Sequence, residues 1–191
     1  MSGKTLIGIV PVVLAIPSYA YYIYTIFKGK TVPQMYSWLI WAILAAIGYA
    51  AQISANAGPG AWNTGITAVV CFAVFLISIK HGERKLSGLD VLLLGLALFA
   101  VIARLLTGDF VLAVLLTTSA ALIGFSLTLK KAYRRPNQEN ATTFFINALR
   151  NFISLFALTS ISFVTFFYPF SMMLANLAVT ATVVSGRRTK R

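Results

Sequence analysis

The sequence predicts an all-α membrane protein of seven transmembrane helices, set as two parallel three-helix bundles joined by a linker helix (3+1+3). Three observations carry that expectation. Of the residues, 59% are hydrophobic and only 10% are charged, with a mean hydropathy of +0.84, which lies outside the range of soluble domains. Seven apolar runs of membrane length follow one another. A basic, proline-bearing turn also occurs twice, about a hundred residues apart, as KGKTVPQMYSWLIW at 28–41 and KKAYRRPNQENATTFFIN at 130–147.

The runs cover residues 5–27, 37–55, 62–80, 88–106, 109–129, 143–162 and 165–185. Each approaches the ~20 residues that a helix needs to cross a hydrocarbon core of ~30 Å. Backbone polar groups in lipid must pair within their own segment, so runs of this kind are helices and not open strands. The first, third and fifth connections and the C-terminus carry Lys28 and Lys30; Lys80, Arg84 and Lys85; Lys130, Lys131, Arg134 and Arg135; and Arg187, Arg188, Lys190 and Arg191. Thirteen of the sixteen basic residues therefore fall on one side, against Lys4 and Arg104 on the other and Arg150 inside a run. That asymmetry predicts a cytosolic C-terminus and an outside N-terminus. Lys4, the apolar run after it and Ser18-Tyr19-Ala20 imitate a cleavable signal. The run continues to Phe27, however, and cleavage would reverse the charge count of every later loop.

Runs 1–3 and 5–7 share one loop pattern, a basic first connection and an uncharged second. Three helices end on the side opposite their start, so two triplets of equal orientation need one extra crossing, which run 4 supplies. The units are 1–82, 83–107 with the linker helix, and 108–191 with a basic cytosolic tail. Parallel repeats of this kind place ligand sites at the repeat interface near the midplane.

Other classes are excluded by what surrounds the charges. The net charge of +12 sits in short clusters between apolar runs, without the aromatic interleaving of a nucleic-acid groove. Cys71 is the single cysteine, so neither an internal disulfide nor a cysteine metal site is available. No nucleophile with a base, metal-ligand cluster or phosphate loop occurs, so no enzyme activity, cofactor or metal is expected. The expected partners are the lipid bilayer, a small-molecule solute and, if the chain self-associates, further copies of itself in a homo-oligomer.

Arg150 is the leading candidate for a solute contact. It stands well inside the sixth run, where a charge costs at least ~2.5 kcal/mol and normally faces a cavity or a partner. Asn147, Arg150, Asn151 and Ser154 follow i, i+3, i+4, i+7 and so share one helical face. The competing reading is an arginine that snorkels to the cytosol or ties helices together. The acids Glu83, Asp90, Asp109 and Glu139 all lie in or near loops, which disfavours a proton or cation relay and favours a neutral or anionic solute.

Seven helices as 3+1+3, an outside N-terminus and Pro33-Gln34 at the cytosolic end of the first helix resemble the SWEET and PQ-loop superfamily. The closer resemblance is to uncharacterised bacterial members of this size, on KGKT-x-P before SWLIW (28–41), AGPGAW (57–62) and YP…LAN (168–176). The resemblance covers nearly the whole chain. It implies facilitated, alternating-access transport of a small sugar or organic acid across the cell membrane of a bacterium. It further implies Asn176 as a pocket residue, with Trp41 and Asn147, which occupy matching positions in the two repeats, as pocket wall beside Arg150, and Pro17, Pro33, Gln34 and Gly124 as hinge or gate positions. Two departures stand out. Pro33 lies in the turn and not within a helix, and the fifth helix has no proline, only Gly124 and Ser126 as softening residues. The alternative is a structural or regulatory membrane protein without transport activity.

Overall fold

The structure is a computed structural model that describes residues 2–189 apart from Lys30 and Arg135. Seven α-helices follow in order: α1 Gly3–Phe27, α2 Met35–Ser54, α3 Trp62–His81, α4 Gly88–Thr107, α5 Phe110–Arg134, α6 Ala141–Phe156 and α7 Phe163–Thr189. Short 3-10 turns at Gly58–Ala61 and Pro136–Gln138 precede α3 and α6. Six of the helices are long and apolar enough to cross a membrane. The exception is α6, whose 16 residues give ~24 Å of helix at 1.5 Å per residue.

Helix starts follow local side-chain chemistry. Ser2 accepts from Thr5 N, Gln34 from Ser37 N and Asn140 from Thr142 N, while Ser87 and Asp90 form a reciprocal capping box on α4. Each supplies a partner to a backbone N–H that the first turn of a helix leaves free. The residues that re-enter the apolar runs, Ser37 and Thr143, therefore lie three positions inside their caps.

α3 packs against both α1 and α2, and α7 against both α5 and α6. Between the triplets α1 meets α6 and α2 meets α5, while α4 lies on α5 and α2. The seams are built from small residues such as Ala45, Ala51, Ala97, Ala100, Ala120 and Ala121, all buried. Large apolar side chains such as Ile16, Phe99, Leu105 and Leu106 point outward. A large apolar exterior over small-residue seams is the pattern of helices solvated by lipid, where close backbone approach drives association.

Both proline-bearing turns fold back against a glycine, by different contacts. Pro33 O accepts from Glu83 N at 2.8 Å, and a Cβ at Gly82 would stand 2.6 Å from that carbonyl. In the second turn a Cβ at Gly186 would stand 3.1 Å from the Pro136 ring. Pro33 thus lies against Gly82 at the C-terminal cap of α3, and Pro136 against Gly186 near the end of α7.

Gln34 locks the first turn to α4. Its Oε1 accepts from Ser37 N at 2.6 Å, and its Nε2 donates to Lys85 O at 2.9 Å and to Asp90 Oδ2 at 3.1 Å. Asp90 is buried and also accepts from Ser87 N and Ser87 Oγ. Gln34→Ala removes a cap and two tethers together, and a loss of about 2 kcal/mol in thermal unfolding is expected.

The ends with uncharged connections differ from the sequence expectation. The sixth run was expected to stay helical to residue 162, but α6 stops at Phe156. The chain beyond it pairs instead with the connection before α3: Thr159 N donates to Ala57 O at 3.0 Å, and Thr159 Oγ1 donates to Asn56 O. Lys4 Nζ donates to Leu158 O from the first turn of α1. Backbone groups that a longer helix would have paired internally are satisfied by the other triplet.

Pro169, inside α7, cannot donate to Thr165 O four residues earlier. Gln52 of α2, fully buried, supplies that bond through Nε2 at 3.1 Å. The YP pair at 168–169 therefore creates an open carbonyl that ties α7 to α2.

Candidate functional site

One cluster of buried polar side chains lies between α1, α3 and α6. Arg150 is 2% exposed. Its Nε donates to Pro11 O at 3.0 Å, one terminal nitrogen to Asn147 Oδ1 at 3.1 Å, and the other to Thr67 Oγ1 at 3.4 Å. The guanidinium carbon lies 5.3 Å from the centre of the Tyr19 ring, within the range of a cation–π contact. None of α1, α2, α3, α6 or α7 contains an acidic residue. The charge is met by carbonyl, amide and hydroxyl dipoles and an aromatic face.

A second rung lies one turn away. Asn151 Nδ2 donates to Asn147 O at 2.8 Å, and Asn63 Nδ2 donates to Asn151 Oδ1 at 3.2 Å. On α3, Thr67 Oγ1 donates to Asn63 O at 2.8 Å. Residues four apart on a helix share a face, and 63 and 67 on α3 meet 151 and 150 on α6. Asn63 Oδ1 is buried without a hydrogen-bond partner among the described residues. The same holds for Gln52 Oε1, Thr118 Oγ1 and Asn176 Oδ1.

Of the residues singled out by sequence, Arg150 and Asn147 are brought together. Asn176 is buried on α7 and donates to Met172 O of its own helix at 2.7 Å. Trp41 belongs to a different seam. It stacks on Phe125 of α5 with ring centres 6.2 Å apart and meets Trp38 edge-on at 5.7 Å. Gly124 lies beneath it, where a Cβ would be 3.6 Å from Trp41 Nε1, an ordinary contact that demands no glycine. Pro17 lies inside α1 and is exposed, while Pro33 and Gln34 serve the turn already described.

Asn63 and Gln52 were not among the residues singled out by sequence. Each lies near the end of an apolar run, where a polar residue reads as the edge of a loop. Their one signal is that they are uncharged amides in segments otherwise dominated by aliphatic and aromatic residues.

Comparison of the chain with family models, with curated proteins and with solved structures finds no match. The functional reading rests on the geometry and on the resemblance carried by the motifs.

Proposed function

We propose that the chain is a multi-pass membrane protein of the SWEET and PQ-loop type. In this reading it passes a small neutral or anionic solute, a sugar or organic acid, across the cell membrane by facilitated alternating access. The observation that carries this reading is the buried Arg150 guanidinium, held at the α1–α3–α6 seam by neutral dipoles and the Tyr19 ring with no acidic partner among the described residues. A cation kept in the membrane interior without a counter-charge favours a site that receives an oxygen-bearing solute. The 3+1+3 repeat is supported by the seating of Pro33 on Gly82 and Pro136 on Gly186. It is also supported by the matched pairs α1–α6 and α2–α5. The thirteen basic residues at one set of ends support a cytosolic C-terminus.

The outer ends of the triplets are clasped in this conformation, and alternating access requires that clasp to part. Trp41, Asn176 and Gly124 then serve the moving α2–α5–α7 side, while Arg150 and Asn147 hold the solute. The second reading, a structural or regulatory membrane protein, is favoured by the apolar packing of Trp41, Phe125 and Leu93 across α2, α5 and α4.

Uptake into proteoliposomes decides between them. Reconstituted wild-type protein is expected to equilibrate labelled small organic acids or sugars faster than protein-free vesicles. Arg150→Gln, verified as folded by its melting transition, is expected to reduce that rate to background. Equal uptake by the variant and the wild type removes Arg150 from the site. No uptake across sugars and organic acids by the wild type leaves the scaffold reading standing.

A further inference from the structure

The two rungs of the α1–α3–α6 seam differ in what they offer. The Arg150 rung offers donors to an anion. The Asn63 rung offers a buried acceptor, because Asn63 Oδ1 has no hydrogen-bond partner among the described residues. The assignment of that oxygen follows from the network. Asn151 Nδ2 is committed to the backbone carbonyl of Asn147, so Asn151 presents Oδ1 to α3. Asn63 must then present Nδ2 to Asn151, which leaves its own Oδ1 without a partner. Exchanging the two atoms of the Asn63 amide would set oxygen against oxygen. An acceptor buried without a donor costs about 1–3 kcal/mol, so a donor brought by a ligand is favoured there.

Resting on the reading of Arg150 as a solute contact, we propose that the site takes a small 2-hydroxycarboxylate monoanion. The carboxylate accepts from the Arg150 guanidinium, and the ligand hydroxyl donates to Asn63 Oδ1. The rungs are one helical turn, ~6 Å, apart. Two hydrogen bonds of ~2.8 Å laid end to end nearly fill that span, so only a short hydroxy acid whose hydroxyl and carboxylate oxygens lie side by side, on neighbouring carbons, reaches both rungs. The exchangeable contact is Arg150 to Thr67 at 3.4 Å, longer than a good hydrogen bond. An amino acid fits less well, since its ammonium would stand near the guanidinium with no acid on the surrounding helices to pair it. A dianion fits less well too, because one cation serves the seam.

The test is binding of L-lactate, propionate and L-alanine to the purified full chain in nanodiscs, read by calorimetry. Wild-type protein is expected to bind L-lactate about tenfold more tightly than propionate, the factor that 1.4 kcal/mol represents, and L-alanine more weakly than L-lactate. Asn63→Ala is expected to bring L-lactate down to the propionate level and to leave propionate within about twofold of wild type. Asn63→Ser, whose hydroxyl is too short to reach, is the second variant and is expected to lose the same preference. Equal wild-type affinities for L-lactate and propionate overturn the hydroxy-acid assignment, as does an equal loss of both in the two Asn63 variants. Arg150→Gln separates this from the underlying reading. Loss of every carboxylate in that variant keeps Arg150 as the anion contact even where the lactate preference is missing. Unchanged binding in Arg150→Gln, or no binding of either acid by the wild type, overturns both.

Discussion

Gly60→Ala is expected to lower the thermal unfolding transition by about 6 to 12 °C, corresponding to a loss of about 3 kcal/mol in a chain of this length. A Cβ at position 60 would stand 2.5 Å from Leu158 Cδ2, 2.8 Å from Leu158 N and 2.9 Å from Leu158 Cα. The methyl can turn aside, but the backbone cannot move without dragging Thr159 off Ala57 and Leu158 O off Lys4. Two further glycines make the seam rigid. A Cβ at Gly58, where φ is +62°, would meet the Thr159 side chain at 2.6 Å, and one at Gly8 of α1 would meet Pro59 Cβ at 2.6 Å. Gly95→Ala is the control. Nothing lies within 4 Å of a Cβ there, and alanine favours the helix by about 1 kcal/mol over glycine. Melting curves of the two variants in one detergent measure the contrast. A Gly60→Ala transition within about 2 °C of wild type would mean that the clasp yields without cost.

The same seam shows what sequence patterning can and cannot reveal. Hydropathy placed an apolar run over each of the seven helices described, and six of them have the length and apolarity that lipid demands of each one separately. Gln34 and Asn140, which cap α2 and α6, also act within four residues of themselves, but hydropathy does not mark them. The end of α6 was not legible. Residues 157–162 are as apolar as a helix needs, and only pairing with the connection before α3, a hundred residues away, draws them out of it. AGPGAW read as a shared motif without a mechanism. Its glycines are required by Leu158 and Thr159, which no local window contains.

The candidate site was legible in part. Arg150 and Asn147 announced themselves because a charge and an amide three positions apart stand out in an apolar run. Their partners on the other helices did not. Pro11 contributes a backbone carbonyl, to which composition is blind. Thr67 and Tyr19 are common in membrane helices, and Asn63 looked like the rim of a loop. Trp41 was grouped with them by its repeat position, yet the structure stacks it on Phe125 in the α2–α5 seam. Equivalent positions in a repeat face equivalent neighbours only where the neighbouring side chains also repeat. Position 41 and position 147 are tryptophan and asparagine.

Removing the partner of Arg150 is expected to cost more stability than removing Arg150 itself. Asn147→Leu leaves a guanidinium, 2% exposed, with Pro11 O, the Tyr19 side chain and a distant Thr67 as its remaining partners among the described residues. Leaving a buried charge under-partnered costs about 3 kcal/mol or more. Arg150→Met, of similar length, abolishes the charge and keeps most of the volume. It leaves behind only neutral groups, chiefly Asn147 Oδ1, and a net change of about 1 kcal/mol is expected, because the cost of holding a charge in the seam disappears with it. The double variant carries both changes and has neither a stranded charge nor an orphaned amide. It should therefore be more stable than Asn147→Leu alone, with a coupling of about 2 kcal/mol between the two positions. Unfolding of the four proteins under one set of conditions closes the cycle. Additive losses would mean that Asn147 does not hold the charge, and would shift that role to the Pro11 carbonyl and the Tyr19 ring.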